Sequence, residues 1–247
     1  MLSQTEEHQL KQYCNENPHL SILVQHLEDS HRMNLSRISH EIRNPVTIIN
    51  SFLQLTQKTH PEVSSFGTWK PILENMEYLK QLLSEFSEYN TSNFLHKEFF
   101  SLHSFLENLI SNCKTTLPSV TFFYQKTTTI PIAAFDKTKL QSALLNIIRN
   151  AYEAMEGQSS KQIRVKLAFD GSLFFIKIEN NGLPIPPEQL PHLFEPFTTY
   201  KKNGSGLGLA IVQKVVLAHE GSISVSSYAE RTSFTITLPL LYDSPNQ

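Results

Sequence analysis

The residues His40, Glu41, Asn44 and Pro45 stand together in one stretch with a helical pattern. At about 100° of rotation per helical residue, His40 lies opposite the aliphatic stripe of that helix. The stripe consists of Leu35, Ile38, Ile42, Val46, Ile49 and Phe52 or Leu53. An imidazole on the polar face, with a carboxylate beside it, favours proton transfer or nucleophilic chemistry over packing. Seen alone, the same pattern also fits a solvated surface histidine.

A glycine-rich stretch indicates a second kind of chemistry. Gly204, Gly206 and Gly208 alternate with Ser205 and Leu207 directly before an apolar helical run. Glycines let the backbone approach a phosphate closely, and a helix N-terminus presents free N–H groups to an anion. The stretch is neither a Walker loop nor a dinucleotide fingerprint, because no Lys-Ser/Thr pair follows and no βαβ repeat surrounds it. Taken alone it also fits an ordinary turn.

Two asparagines supply candidate metal ligands on the helix that follows Asp136. Asn146 and Asn150 are four residues apart and therefore share one helix face. Their carbonyl oxygens are suited to a hard cation such as Mg²⁺, which prefers oxygen ligands and phosphate. Arg149, between them, could contact phosphate. The alternative is a polar surface stripe.

Phe194 and Phe197 flank a Glu-Pro pair and precede a polar stretch, residues 198–202. Two large apolar anchors beside a polar segment suggest a hinged lid over a site. The alternative is that both rings are core anchors beneath a loop.

Composition excludes several classes of protein. The 247 residues carry a net charge of −2, with 40% hydrophobic and 18% charged residues. These values fit a globular protein and give no strong positive charge that would attract nucleic acid. The two cysteines, Cys14 and Cys113, show no metal-ligand spacing and are expected to be reduced. No apolar run is long enough to span a membrane, and residues 1–10 are too polar for a signal peptide. We therefore expect a cytoplasmic protein, or the cytoplasmic part of a larger one.

The elements that position the histidine are two predicted helices. Residues 1–25 form a helical lead-in, a long helix spans 26–58, and a loop at 59–69 leads to a second helix within a segment that ends at 96. Such a hairpin has an apolar seam with nothing to cover it, so we expect a homodimer in which two hairpins form a four-helix bundle. The alternative is that the hairpin packs on the C-terminal half of its own chain.

The elements that position the asparagines and glycines belong to an α+β domain over residues 97–247. Asp136 is a good N-cap for its first long helix, and Asp170-Gly171 is a strong hairpin signal. The predicted strands and helices are strands at 99–100, 120–124, 132–135, 163–169, 173–178, 222–226 and 233–238, and helices at 102–110, 138–155 and 206–218. This pattern predicts one sheet with its helices layered on one face.

The order of these motifs resembles that of two-component sensor histidine kinases, over roughly residues 26–240. His-Glu-x-x-Asn-Pro, Asn-x-x-x-Asn, Asn-Gly, Phe-x-Pro-Phe and Gly-x-Gly-x-Gly occur in the family order. The resemblance implies a dimerisation and histidine phosphotransfer domain over 26–96. It also implies an ATP-binding catalytic domain of the GHKL fold, a layered α/β sandwich, over 97–247.

The resemblance also implies the function and its residues. ATP with Mg²⁺ would phosphorylate His40, assisted by Glu41, and the group would pass to an aspartate on a response-regulator receiver domain; Asn44 would place a water for dephosphorylation. Asn146 and Asn150 would hold the metal. The implied ATP-binding residues are Asn146, Arg149, Asn150, Tyr152, Asn180, Gly182, Phe194, Gly204, Gly206, Leu207 and Gly208.

Two departures from the family pattern leave a second function open. Asn180 stands where the family has an aspartate that binds the adenine amine, and Pro184 replaces a glycine; the last glycine box, at 229–232, is missing as well. Losing a charge-assisted hydrogen bond costs about 1 kcal/mol or somewhat more, roughly five- to tenfold in affinity. The alternative function is therefore a phosphotransfer or binding module with weak or no use of ATP.

Overall fold

The structure is a computed structural model that describes residues 13, 17–127, 129–201, 204–229 and 231–240. It divides into two compact units between Thr91 and Ser92, five residues before the expected boundary at 96. Most of the expected lead-in, residues 1–25, lies outside the described part of the chain. Among the described residues, no helix combines the length and the apolarity needed to cross a membrane.

Helix α1, Pro18–Thr59, forms most of the first unit. Its N-terminus is fixed by Asn17, whose Oδ1 accepts hydrogen bonds from the N–H groups of His19 and Leu20 at 3.1 and 3.2 Å. Pro18 suits the first helical position, because the N–H group that proline lacks would have no partner within the helix there. The helix therefore begins before residue 26, the expected start, and it continues through Pro45.

Helix α2, Trp69–Thr91, follows α1 after a 3-10 turn at Pro61–Ser65, and the two helices pack together as the expected hairpin. Val46 and Leu83 are buried in this unit. Many apolar side chains of the hairpin stay exposed, among them Ile38, Ile42, Ile48, Ile49, Phe52, Leu55, Ile72 and Leu79. A single hairpin thus leaves much of its apolar surface in water, which is unfavourable in proportion to its area.

The second unit is an α/β sandwich with a small separate ribbon. The strands are β1 Glu98–Ser101, β2 Val120–Lys126, β3 Ile132–Phe135, β4 Lys161–Phe169, β5 Leu173–Asn180, β6 Ser222–Tyr228 and β7 Arg231–Pro239. The helices are α3 Leu102–Thr116, α4 Lys137–Ala154 and α5 Gly208–Ala218. The main sheet has the order β2-β4-β5-β7-β6, with β2 and β4 parallel and the other pairs antiparallel, while β1 pairs with β3.

The core of this unit lies between the helices and one face of the sheet. Along β4, Ile163, Val165 and Leu167 are buried, whereas Arg164 and Lys166 are exposed, as expected for a sheet covered on one face. The helices contribute buried residues at helical spacing, including Leu140, Ala143, Leu144, Ile147, Ile211, Val212 and Val215. The prediction of a sheet with its helices on one face holds for the five-stranded sheet. The prediction of one sheet is wrong in part, because the strands predicted at 99–100 and 132–135 pair with each other as a separate two-stranded sheet.

Two predicted local signals are also confirmed. Asp136 caps α4, and its Oδ1 accepts from the N–H of Lys139 at 2.9 Å. Gly171, with φ of 107°, forms the turn between β4 and β5, and Oδ1 of Asp170 accepts from the N–H of Leu173 at 2.8 Å. Both signals worked because the side chain satisfies the nearby backbone donors itself.

A buried histidine joins the C-terminus of α5 to the N-terminus of α4. Nε2 of His219 accepts from the N–H of Asp136 at 2.9 Å, and its Nδ1 lies 2.8 Å from the carbonyl oxygen of Val215. This arrangement needs the neutral ring, with its proton on Nδ1. Burial lowers the pKa of His219, and Lys97 acts in the same direction, while the Val215 hydrogen bond and Asp136 oppose it.

We expect His219 to make the protein sensitive to mild acid. Its pKa is lower in the folded than in the unfolded protein, so the unfolded state binds more protons. The free energy of unfolding should therefore be greatest above about pH 6.5 and fall below it, by at most about 1.4 kcal/mol per pH unit. Urea unfolding between pH 7.5 and 5 measures this slope. His219→Gln should be less stable at neutral pH but should show a smaller decline over that range; an equal decline would contradict the assignment.

Candidate functional site

One face of α4 carries four polar side chains in successive turns. Asn146, Arg149, Asn150 and Glu153 follow the i, i+3, i+4, i+7 spacing of a single helix face; we call them the α4 polar face. Nη2 of Arg149 donates to Oδ1 of Asn146 at 2.8 Å. Asn146 is buried, Asn150 is half-buried, and Arg149 and Glu153 are exposed. The face therefore runs from the interior of the unit to the solvent.

The N-terminus of α5 meets this face at Gly208. A Cβ atom on Gly208 would lie 3.5 Å from Nη2 of Arg149 and 3.7 Å from Oδ1 of Asn146. Among the described residues, which leave out 202 and 203, no side chain caps this end of α5, so its first N–H groups are suited to an anion. The predicted asparagine and glycine motifs thus come together in one place. Together they present a cationic group, amide oxygens and an uncapped helix end.

Leu207 contributes differently from the glycines around it. Its side chain is only 1% exposed and lies in the core. Its N–H donates to Oγ of Ser205 at 3.1 Å. Its carbonyl oxygen accepts from the N–H of Ile211 at 2.8 Å, so Leu207 holds the start of α5 in place.

Gly206 fixes the path of the chain before α5. It has φ of 70°, and its carbonyl oxygen accepts from the N–H of Phe197 at 3.0 Å. A Cβ atom here would lie 2.5 Å from the carbonyl carbon of Phe197 and 2.6 Å from the nitrogen of Thr198. The glycine is therefore required both by backbone conformation and by contact. The ring of Phe197 is 62% exposed, whereas Phe194 is half-buried.

Lys201 connects the predicted lid segment to the α4 polar face. Its Nζ donates to Oδ1 of Asn150 at 2.6 Å and also to Oε2 of Glu153. Gly204 packs against Thr199 and Lys201 in the same segment. Residues 202 and 203 of the predicted lid and glycine stretch lie outside the described residues.

Asn180 is the last residue of β5, and Gly182 follows it against the C-terminal end of α4. Asn180 is only 3% exposed, and its amide is satisfied when Nδ2 donates to O of Thr232 at 3.3 Å and Oδ1 accepts from the N–H of Gly182 at 2.9 Å. A Cβ on Gly182 would lie 2.6 Å from the carbonyl oxygen of Ala154. This close approach explains the glycine, and the buried amide shows that Asn180 also holds the turn in place.

Tyr152 is half-buried on α4, and the ammonium of Lys161 lies 4.5 Å from its ring centroid. The ring is therefore already engaged on one side by a cation from β4.

His40 belongs to the first unit and is exposed on α1, as the helical pattern predicted. Asn44 is exposed one turn later, on the same side. Oε1 of Glu41 lies 3.4 Å from Nε of Arg37, in a pair whose side chains are 67% and 76% exposed. Exposed pairs of this kind are weak, so Arg37 does not hold the Glu41 carboxylate in one position.

The contacts of Lys201 with Asn150 and with Glu153 were not predicted. Glu153 could have been found, because it continues the 146, 149, 150 spacing by one turn. Lys201 could not, since it is 51 residues from Asn150 and only the folded chain brings them together.

The chemistry of the second unit suits a metal-bound polyanion. Among the described residues, no cluster of three or more His, Cys, Asp or Glu side chains could hold a metal ion alone. A hard cation here would need the amide oxygens of the α4 polar face and oxygens from a ligand. The uncapped N-terminus of α5 and Arg149 are suited to that ligand's negative charge.

Residues 135–242 match the model of the family described as histidine kinase-, DNA gyrase B-, and HSP90-like ATPases. Over 206 residues the chain is 32% identical to sporulation kinase D of Bacillus subtilis. The matched region covers 82% of this chain and 40% of that protein. Over 228 residues it is 29% identical to the sensory histidine kinase/phosphatase NtrB of Escherichia coli O157:H7, covering 88% and 65% of the two chains. The chain thus spans about half the length of such curated relatives.

A solved structure matches most of the length of the chain. The histidine kinase ThkA, in complex with the response regulator protein TrrA, matches with a TM-score of 0.62 and 24% identity, over 94% of this chain and 66% of that one. The α/β sandwich of the second unit is accordingly that of histidine kinase catalytic domains.

Proposed function

We propose that this chain, which carries a sensor histidine kinase core, uses ATP to phosphorylate its own His40. The phosphoryl group would then pass to an aspartate on the receiver domain of a response regulator. Residues 97–247 would be the ATP-binding catalytic domain, and residues 26–96 the dimerisation and phosphotransfer domain. Since the reaction needs ATP, we place it in the cytoplasm.

The observation that carries this proposal is the meeting of Asn146, Arg149 and Gly208. A side-chain cation, an amide oxygen and an uncapped helix end lie within about 4 Å of one another. Phosphoryl transfer chiefly needs positioning and charge neutralisation rather than covalent chemistry from the protein. In this cluster the helix end and the amide oxygen would position a triphosphate and its metal ion, and Arg149 would neutralise part of the triphosphate's charge.

Mg²⁺ fits the residues of the α4 polar face. Each asparagine oxygen already accepts a hydrogen bond from a positively charged group, Arg149 for Asn146 and Lys201 for Asn150. Both oxygens therefore already bind cationic groups, and Mg²⁺ would be coordinated by one or both of them together with phosphate oxygens. Bound Mg²⁺ would neutralise the charge that develops during transfer.

Adenine recognition is proposed to involve Asn180 and Tyr152, with Phe194 at the edge of the site. Oδ1 of Asn180 has a second lone pair beside the one used by Gly182, so it can still accept from an exocyclic amine. The turn at Gly182 would keep that oxygen in place.

The proposed roles on α1 follow from exposure. An exposed His40 can present a ring nitrogen to the γ-phosphate, and Glu41 can orient the ring and accept its proton. Asn44, on the same side, would place a water for hydrolysis of the phosphorylated partner. The partner class is supported by the response regulator bound to the related fold of ThkA.

We propose a homodimer through the hairpin. Its support is the exposed apolar stripe of α1 and α2, including Ile42, Ile49, Phe52 and Ile72. A second hairpin related by a two-fold axis would bury this stripe in a four-helix bundle.

A relay module is the second candidate, and Asn180 is the observation that favours it. Its amide is buried and already hydrogen-bonded to Thr232 and Gly182. It also lacks the negative charge that would strengthen a bond to an amine. In this alternative His40 carries a phosphoryl group received from another protein.

Incubation with γ-labelled ATP and Mg²⁺ separates the two candidates. The kinase proposal expects label that is acid-labile and base-stable, as a phosphoramidate is, without any added protein. No label from ATP, together with label that appears when a regulator carrying labelled phosphate is added instead, would favour the relay module and overturn the kinase proposal.

Asn180→Asp is expected to tighten ATP binding by about five- to tenfold, through a charge-assisted bond to the adenine amine. The same change should lower the free energy of unfolding without ATP, by about 1–3 kcal/mol, because a carboxylate replaces the donor that faces the carbonyl of Thr232. Calorimetric titration and urea unfolding measure the two effects. Unchanged or weaker ATP binding, in a folded variant, would contradict this placement of the adenine.

A further inference from the structure

A positive charge already lies on the α4 polar face. The ammonium of Lys201 donates to Oδ1 of Asn150 at 2.6 Å and to Oε2 of Glu153. These two oxygens, from successive positions of one helix face, converge on a single nitrogen. They therefore lie close enough together to bind one cation.

The chemistry of the two oxygens is that of a divalent-cation site. An amide carbonyl and a carboxylate are the ligands that Mg²⁺ and Ca²⁺ take from proteins. The ammonium of Lys201 is a monovalent occupant that uses N–H donors instead. Because both kinds of cation need the same oxygens, Lys201 and a metal ion cannot occupy them together.

We propose that Asn150 and Glu153 form one cation site, which Lys201 fills in the unliganded chain and leaves when a divalent cation enters with the nucleotide. This rests on the proposed function for the nucleotide, but it adds Glu153 as a metal ligand and Lys201 as a positioning residue. Lys201 thereby holds the described segment that ends with it, residues 197–201, against α4 until the metal arrives.

The pair is held weakly enough for this exchange. The side chains of Lys201 and Glu153 are 48% and 42% exposed, so water and salt screen their attraction. Arg149 differs, because it reaches Asn146 from the same helix and need not move a loop to do so.

The two oxygens would also have to adjust their spacing to the metal ion. Mg²⁺ binds oxygen at 2.0–2.1 Å, shorter than the 2.6 Å from Nζ to Asn150, so the two oxygens would draw together or keep a water between them.

The test uses Mn²⁺ as the probe and the full chain without nucleotide. Electron paramagnetic resonance of free Mn²⁺ gives the dissociation constant for wild type, Lys201→Gln and Glu153→Gln. Lys166→Gln is the matched control, an exposed lysine on β4 outside the site. Lys201→Gln should bind Mn²⁺ about two- to fivefold more tightly, because an exposed ion pair no longer competes. Glu153→Gln should bind it more weakly by at least as much, and Lys166→Gln should match wild type.

Equal Mn²⁺ affinity in Lys201→Gln and wild type would overturn the inference, as would an equal gain in Lys166→Gln, which would reflect net charge alone. Calorimetry with ATP at graded Mg²⁺ separates this result from the proposed function. If ATP binds with the same Mg²⁺ requirement in Lys201→Gln and wild type, the proposed exchange of Lys201 for the metal ion is wrong, but the proposed function stands. If ATP does not bind at any Mg²⁺ concentration while the Mn²⁺ affinities shift as expected, the proposed nucleotide site is wrong, but the cation site stands. Lys201→Ala provides a second variant with the same expectation, and circular dichroism checks that each is folded.

Discussion

His40→Ala should abolish labelling of the protein by γ-labelled ATP. The proposed acceptor is a ring nitrogen, and alanine has no group that could replace it, so the expected loss is complete rather than partial. The variant should remain folded, because His40 is exposed on α1 and alanine is the better helix former. Filter binding after alkaline and after acid treatment measures the base-stable, acid-labile label.

His26→Ala is the matched control for this experiment. His26 is also exposed and lies on the same helix, so its replacement changes the same composition and charge without touching the proposed acceptor. It should label as wild type does. Calorimetry should show unchanged ATP binding in both variants, since the proposed nucleotide residues belong to the second unit. Label that persists in His40→Ala would place the acceptor elsewhere.

The elements of the fold were largely predictable because their signals are local. The turn at Asp170 and Gly171 and the cap at Asp136 depend on side chains within three residues of the backbone they satisfy. The start of α1 was missed although Asn17 and Pro18 carry a similar local signal. The alternation of strand residues in β4 fixed which side faces the core.

The site was predictable only as a set of separate motifs. Asn146 and Gly208 were each chosen for their chemistry, and the fold brings them together. The partners of Asn180 and of Asn150 were not predictable, because Thr232 comes from a neighbouring strand and Lys201 from a loop 51 residues away. Such contacts depend on strand register and loop path, which no spacing rule in one sequence specifies.

Gly206→Ala should cause the largest loss in the second unit. The residue has φ of 70°, which costs a residue with a Cβ about 1–2 kcal/mol. In addition, the new atom would lie 2.5 Å from the backbone of Phe197, and relieving such a contact costs typically about 1–3 kcal/mol. We therefore expect the free energy of unfolding to fall by about 2–5 kcal/mol, measured by urea denaturation.

Gly157→Ala separates the two causes of that loss. Gly157 also has a positive φ, 77°, but a Cβ there would meet nothing within 4 Å. It should therefore lose only the conformational part, about 1–2 kcal/mol, and keep ATP binding. In Gly206→Ala we expect the clash to be relieved by movement of the start of α5, which takes its N–H groups away from Arg149 and Asn146. ATP affinity should then fall at least tenfold under conditions where the variant is still folded. Equal stability losses in the two variants, with ATP affinity retained, would show that the contact between Gly206 and Phe197 does not position the N-terminus of α5.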